Sequence, residues 1–319
     1  MTIKNLALAG VAAVALLAGA VAADAETRVT YKSAKSTSSY YQMAVQIAEA
    51  VKRGTGGEMI LTVEESQGSV QNVKEAAVRP GNYVFTTPPV LVKLAQGGKK
   101  MFEPKNAKFD EIRGLFPIPS LTMHFVVRAD SGIKSFADLA GKSYLIGKGS
   151  FGAREAAKYF ELFGVKDKVK LVDVELNAAV AALKNKQVDG FATAGSYPAP
   201  NVMEAAAGTA IHLISMTDEQ VAKSKRTKLV IPGGTYPGVD QDTTTTSLPV
   251  MAYTTTGMSD DAAYTLTKAY WSEKARMGKD NKWWAAVNAE MLAPMYGKLH
   301  PGALKYYAEA NMSVPDTLK

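Results

Sequence analysis

Apolar residues recur along the chain in two patterns, one typical of short strands and the other of amphipathic helices. Alternation predicts a strand over 28–31, and apolar residues at helical spacing predict a helix from Met43 to Val51. The other strands predicted in this stretch are 59–63 and 83–86. Ser69 is the predicted N-cap of a second helix. This strand–loop–helix order predicts an α/β protein with a mainly parallel, doubly wound sheet.

The same order recurs after residue 142. Strands are predicted over 143–146, 171–174 and 188–192, and helices over 152–163 and 178–183. Two C-terminal helices are predicted over 260–277 and 301–311. Ligands in open sheets of this kind bind beyond the carboxyl ends of the strands, so the loops after these strands form the candidate site.

Residues 1–25 have the pattern of a cleavable export signal. Lys4 precedes an apolar stretch, and Ala23-Asp24-Ala25 supplies the small residues that a signal peptidase recognises, which predicts cleavage before Glu26 and a periplasmic protein. Residues 20–22 offer a second cleavage site, and an uncleaved membrane anchor is the alternative for the whole stretch. Because the chain has no Cys, a lipoprotein anchor is excluded.

The composition of the chain argues against several kinds of catalytic and metal site. The formal net charge is +7, spread along the chain, and the absence of Cys removes thiol nucleophiles, thiolate metal sites and disulfides. None of the three histidines has metal-ligand spacing with another, and neither a Gly-x-Ser-x-Gly elbow nor a phosphate loop occurs. We therefore expect no catalytic residue, metal or cofactor. Packing roles are expected for His124 and His212 on crossover strands, and for Trp283 and Trp284.

The run from His124 to Lys142 is the most informative segment. It combines a strand, a turn, a short capped helix and a Gly-Lys pair before a new strand, as expected where a chain passes from one domain to the next. The predicted organisation is a signal (1–25), a first lobe (26–122), a second lobe (123–216), and a return to the first lobe (217–319).

Several segments resemble the TAXI family, the solute-binding subunits of one branch of the tripartite ATP-independent periplasmic (TRAP) transporters. They are Tyr40-Tyr41, 68–73, 124–142, 188–191 and 234–238. The resemblance implies a two-lobed periplasmic binding protein type II fold with a hinge and a central cleft, a glutamate-like or dicarboxylate ligand, and delivery to a membrane permease. The loop 34–39 lacks the family's glycines, Gln42 replaces a proline, and the segment 80–89 lacks the usual acid.

The candidate ligand-binding residues lie on the loops of both predicted lobes. Arg154 is the predicted anchor, because a guanidinium forks onto a carboxylate through two hydrogen bonds. Helix capping by Ser38 or Ser39 is an alternative for the first loop, and one of the two tyrosines is expected to pack while the other faces the ligand. The candidates are Ser36, Thr37, Ser38, Tyr40, Tyr41, Gln67, Ser69, Val70, Thr87, Lys148, Ser150, Phe151, Arg154, Thr193, Ser196 and Tyr197.

These observations predict a monomeric, exported binding protein that closes on a small anionic organic solute, a carboxylate, dicarboxylate or amino acid, and passes it to a TRAP-type permease. Nucleic acid is not an expected partner. A binding protein of an ABC importer or of a sensor is the first alternative, and an enzyme on the same fold is the second.

Overall fold

The structure is a computed structural model that describes residues 26–79 and 81–319. The predicted export signal lies outside these residues. Within them, the strands are β1 (Thr27–Lys32), β2 (Met59–Glu64), β3 (Tyr83–Thr87), β4 (Ile112–Arg128), β5 (Ser143–Leu145), β6 (Lys170–Val172), β7 (Gly190–Gly195), β8 (Ile211–Leu213), β9 (Thr227–Ile231) and β10 (Thr243–Thr255).

Helices connect most of the strands. They are α1 (Ser39–Gly54), α2 (Ser69–Ala76), α3 (Pro89–Gln96), α4 (Phe151–Leu162), α5 (Ala179–Lys184), α6 (Pro200–Gly208), α7 (Asp218–Ser224), α8 (Asp260–Ser272), α9 (Lys274–Met277), α10 (Lys282–Ala286) and α11 (Pro301–Glu309). The predicted helix over 260–277 is interrupted at Glu273, which separates α8 from α9.

The strands form one continuous sheet in the order β2-β1-β3-β10-β4-β7-β5-β6, with β8 beside β4 and β9 beside β10. Pairing is parallel among β1, β2 and β3, and again among β5, β6 and β7. Every pairing of β4 and β10 with another of these strands is antiparallel. The α/β prediction is confirmed, but a mainly parallel sheet is wrong, because two long antiparallel strands join the two parallel groups.

Strand β4 links the two groups of parallel strands through its 17 residues. Its first part pairs with β10 and its last part with β7, and Thr122 is aligned with both Ser247 and Gly195. Most β4 side chains are buried, including His124, which confirms the packing role predicted for that histidine. By contrast, His212 on β8 is exposed, so its predicted packing role is wrong.

Aromatic side chains are prominent in the buried core. Phe116 stacks on Tyr270 with ring centroids 3.9 Å apart, and Phe125 meets Phe136 edge to face at 4.8 Å. Trp284 is fully buried, as predicted. Burial of several aromatic side chains is a large source of stability for a chain without disulfides.

Residues after the predicted second lobe still pack on its elements. Helix α7 lies against α4, and Arg226 donates hydrogen bonds of 2.9 and 2.8 Å to the two carboxylate oxygens of Glu155 on α4. Strand β9 pairs with residues 243–247 of β10. The predicted return to the first lobe near residue 216 stays a prediction, and the contacts of α7 and β9 bear on where that boundary lies.

Candidate ligand-binding site

A cleft lies where β1, β2 and β3 end opposite the ends of β5 and β7. The space within it, counted together with the open solvent at its mouth, is about 580 Å³. Residues from both groups of strands line it: Ser33, Ala34, Lys35, Ser38, Tyr40, Gln67, Gly68, Ser69, Thr86, Leu121, Lys148, Ser150, Phe151, Gly152, Leu176 and Ala194. This is the edge at which ligands bind in open α/β sheets.

Three helices begin at the cleft wall, because the N-cap residues of α1, α2 and α4 are all lining residues. Ser38 accepts a hydrogen bond of 3.2 Å from the Tyr41 N–H, and Ser150 accepts one of 2.9 Å from the Ala153 N–H. The first N–H groups of a helix have no partner within the helix, and the helix dipole makes this end positive. The cleft wall therefore favours an anion.

Helix α2 differs from the other two, because its N-cap is Gly68 and no side chain caps it. Ser69 is the first helical residue, so its predicted role as the N-cap is wrong. Gly68 has φ of 100°, a conformation that favours glycine. A backbone that turns this way into the helix leaves the α2 N–H groups available to a ligand.

Two lysines line the cleft, and both are paired with carboxylates. Lys35 lies 3.0 Å from one oxygen of Glu175, whose other oxygen accepts a 2.9 Å hydrogen bond from Gln67. These bonds hold the pKa of Glu175 below its usual value. Lys148 lies 2.9 Å from Asp173, and this contact raises the pKa of Lys148. The charges at the rim are thus largely balanced within the protein.

Several of these contacts join the two sides of the cleft. Lys35 and Gln67 follow β1 and β2, whereas Glu175 follows β6, so the Glu175 carboxylate bridges the rim. Nearer to β4, the Ser39 hydroxyl accepts a 2.9 Å hydrogen bond from the Ser196 N–H. A Cβ on Gly195 would lie only 2.5 Å from the same hydroxyl oxygen. The two sides are therefore closed against each other.

Three lining hydroxyls donate their hydrogen bonds to other groups of the protein. Ser33 donates to the Tyr40 carbonyl at 2.7 Å, Tyr40 to the Pro119 carbonyl at 3.0 Å, and Thr86 to the Tyr31 hydroxyl at 3.0 Å. Tyr40 is buried and Tyr41 is half-buried. The tyrosine that packs is thus also the one that lines the cleft.

The structure brings part of the predicted set together. The predicted residues that line the cleft are Ser38, Tyr40, Gln67, Ser69, Lys148, Ser150 and Phe151. Those that lie elsewhere are Ser36, Thr37, Tyr41, Val70, Thr87, Arg154, Thr193, Ser196 and Tyr197. Arg154 is exposed, because the opposite face of α4 carries the residues that pack in the core.

A second, more open cavity lies on the other face of β4. The space within it, counted together with the open solvent at its mouth, is about 1460 Å³, and Ser196 and Tyr197 line it together with Thr122 and Trp283. Adjacent residues of a strand point to opposite faces, which is why Leu121 faces the first cleft and Thr122 the second cavity. The smaller cleft is the candidate ligand site, because the N-caps of α1, α2 and α4 line it and none of them lines the larger cavity.

The described residues contain no group of three or more His, Cys, Asp or Glu side chains that could hold a metal ion. None of the helices in that part of the chain combines the length and the apolar character needed to cross a membrane.

Residues 32–310 match the sequence model of the NMT1-like family. The chain belongs to this family. Among solved structures, the periplasmic binding protein BugD is similar over 91% of this chain and 99% of its own, with a TM-score of 0.54 and 12% identity. This similarity shows a shared fold, the two-lobed fold of periplasmic binding proteins. The predicted fold class is confirmed.

Weaker similarities extend to other binding proteins. A TRAP periplasmic solute-binding protein from Shewanella oneidensis with bound succinate aligns over 89% of this chain and 92% of its own, at 14% identity and a TM-score of 0.47. The arginine-bound form of truncated ArgBP from T. maritima aligns over 78% and 97%, at 13% identity and a TM-score of 0.46.

Sequence reasoning missed some cleft residues of this NMT1-like protein. Leu121 could not be predicted as a cleft residue, because it lies inside a long apolar strand and not in a loop after a strand. Leu176 and Ala194 are apolar residues beside loops, and only the sheet order shows that they face the cleft. Lys35 could have been predicted as a cleft residue, because it lies in the first predicted loop.

Proposed function

We propose that this protein is an extracytoplasmic solute-binding subunit that captures a small anionic organic solute, a carboxylate, between its two lobes. The observation that carries the proposal is the convergence of the α1, α2 and α4 N-termini on a cleft shared by both groups of strands. Positive helix ends and unpaired N–H groups suit a carboxylate. In this proposal the role is binding without turnover, by closure of the lobes about β4 and β10.

The binding role is tested by thermal unfolding of the purified protein with dicarboxylates, oxo-acids, amino acids and sulfonates. A ligand that binds the native state and not the unfolded chain stabilises the protein by RT ln(1 + [L]/Kd), so the melting temperature rises with ligand concentration. Ser69→Tyr should abolish the shift by filling the cleft, whereas Ser313→Tyr, at an exposed position near the C-terminus, should preserve it. An equal shift in both variants would contradict the assignment of the ligand to this cleft.

We further propose a periplasmic location after removal of residues 1–25, and a TRAP-type permease as the membrane partner of a monomeric binding protein. The TAXI-like segments of the sequence support the permease, and the signal-like N-terminus supports the location. N-terminal sequencing of the exported protein should begin at Glu26. Reconstituted uptake driven by an ion gradient supports the TRAP assignment, whereas a requirement for ATP would favour an ABC importer.

A further inference from the structure

The charged groups around the cleft would receive a carboxylate and an ammonium group differently. The lining residues include two lysines but no Asp or Glu among the residues that the structure describes. Because both lysines are paired with carboxylates, the groups left for a solute carboxylate are the N–H groups at the helix N-termini. An ammonium group on the same solute has no carboxylate facing it.

Acidic side chains do lie near the rim, and each is already engaged. One Glu175 oxygen lies 3.0 Å from Lys35 and the other accepts from Gln67. Asp173 pairs with Lys148 at 2.9 Å. Glu65 accepts a 2.7 Å hydrogen bond from the Ser36 N–H. Recruiting any of them for an ammonium would break an existing contact.

The remaining field of the cleft is positive. The α1, α2 and α4 N-termini point their N–H groups toward it, and the balanced Lys–carboxylate pairs at the rim do not cancel that field. The other lining side chains include the apolar Leu121, Phe151, Leu176 and Ala194. An ammonium placed here loses its hydration, faces positive helix ends, and gains no anionic partner.

Building on the proposed function, we infer that the solute is an organic acid without an ammonium group, such as a hydroxy, oxo or plain carboxylic acid, and that the cleft selects against amino acids. The carboxylate is held by main-chain N–H groups at the helix ends, and an apolar or hydroxylated remainder contacts Phe151 and Leu176.

Calorimetry with closely matched acids tests this inference. Malate is compared with aspartate, lactate with alanine, and hydroxyglutarate with glutamate, at pH 7, where a hydroxyl replaces an ammonium at nearly constant shape. In any pair of which a member binds, we expect the hydroxy acid to bind at least about tenfold more tightly than the matching amino acid. The reason is that the ammonium group of the amino acid would be buried without an anionic partner, which is costly.

A variant that supplies the missing anion gives a second readout. Leu176 is half-buried on the lining, and Leu176→Asp places a carboxylate there, so the preference should shift toward the amino acid. Leu176→Asn has nearly the same shape without the charge and should keep the original preference. A shift of equal size in both variants would overturn the electrostatic explanation.

The possible outcomes distinguish a failure of this inference from a failure of the proposed carboxylate-binding function. Equal or tighter binding of the amino acids overturns the inference and leaves a carboxylate-binding protein. No binding of any of these six acids contradicts the carboxylate-binding proposal itself, and the inference is overturned with it.

Discussion

A buried hydrogen-bonded chain links β4 to the loop before β10. The Tyr236 hydroxyl lies 2.8 Å from His124 Nε2 and accepts a 2.8 Å hydrogen bond from the Ala199 N–H, while His124 Nδ1 lies 3.1 Å from the Thr122 carbonyl. Because the Thr122 carbonyl can only accept, Nδ1 donates to it, and in the neutral imidazole Nε2 then accepts from the Tyr236 hydroxyl. Burial favours the same state and lowers the pKa of His124 to about 4.

The titration of His124 predicts a loss of stability in mild acid. In the unfolded chain its pKa returns to about 6.5, so the unfolded state binds more protons between that value and about 4. The contribution is therefore fully present above pH 6.5 and is lost as the pH falls toward 4, by an amount on the order of 3 kcal/mol. Urea unfolding at a series of pH values measures this slope.

The matched variants for this prediction are His124→Gln and His212→Gln. Replacing the buried His124 should lower stability at neutral pH and flatten the slope between pH 6.5 and 4, since the titrating group is gone. His212 is exposed, so its replacement should change neither quantity. A slope unchanged by His124→Gln would assign the acid sensitivity to other groups.

Among the elements, α2 has the most unusual start. Its N-cap Gly68 adopts φ of 100° and ψ of −160°, and no side chain occupies the N–H groups that follow. The helices α1 and α4 begin with serine caps at the same cleft. One uncapped helix between two capped ones concentrates the available N–H groups on one wall of the cleft.

We therefore predict that Gly68→Ala lowers solute affinity more than its effect on folding explains. A Cβ at Gly68 meets no atom within 4 Å, so the variant suffers only backbone strain, about 1–3 kcal/mol. Relief of that strain would rotate the first N–H groups of α2 away from the cleft.

Gly132 provides the control for this variant. It lies in the turn after β4 with φ of 74°, and a Cβ there also meets nothing within 4 Å. Gly132→Ala should reduce the melting temperature without changing the Kd measured by calorimetry. Similar losses of affinity in both variants would mean that α2 has no special role in binding.

At the scale of the whole molecule, the two groups of strands are separate parallel units joined by β4 and β10. We propose that β10 rather than residue 216 marks the return to the first lobe, because α7 packs on α4 and β9 pairs with the start of β10. The two lobes then meet at the rim through Glu175, and beside β4 through Ser39 and Ser196.

The Lys35–Glu175 pair is expected to bias the molecule toward the closed state. Partly exposed ion pairs contribute only about 0–1 kcal/mol, so Lys35→Glu or Glu175→Lys should lower the closed-to-open ratio by up to about fivefold. Small-angle scattering of the solute-free protein reports this change as a larger radius of gyration. High salt should reduce the difference between these variants and the wild type.

The charge-swapped double variant, Lys35→Glu with Glu175→Lys, is the control for these single changes. It restores an attractive pair across the rim, so the closed population should recover. If the double variant stays as open as the singles, the two side chains act separately and not as a pair.

The sequence alone determined the α/β class, most strands and helices, and the loops that carry candidate site residues. These features depend on local periodicity and capping, as for Ser38, one of the two serines expected to cap the first helix, which caps α1. Tertiary structure decided the rest. Helix rotation placed Arg154 in solvent, strand alternation separated Leu121 from Thr122, and the pairing of β4 with both β10 and β7 set where the lobes meet. Such contacts join residues far apart in the chain, and no local pattern encodes them.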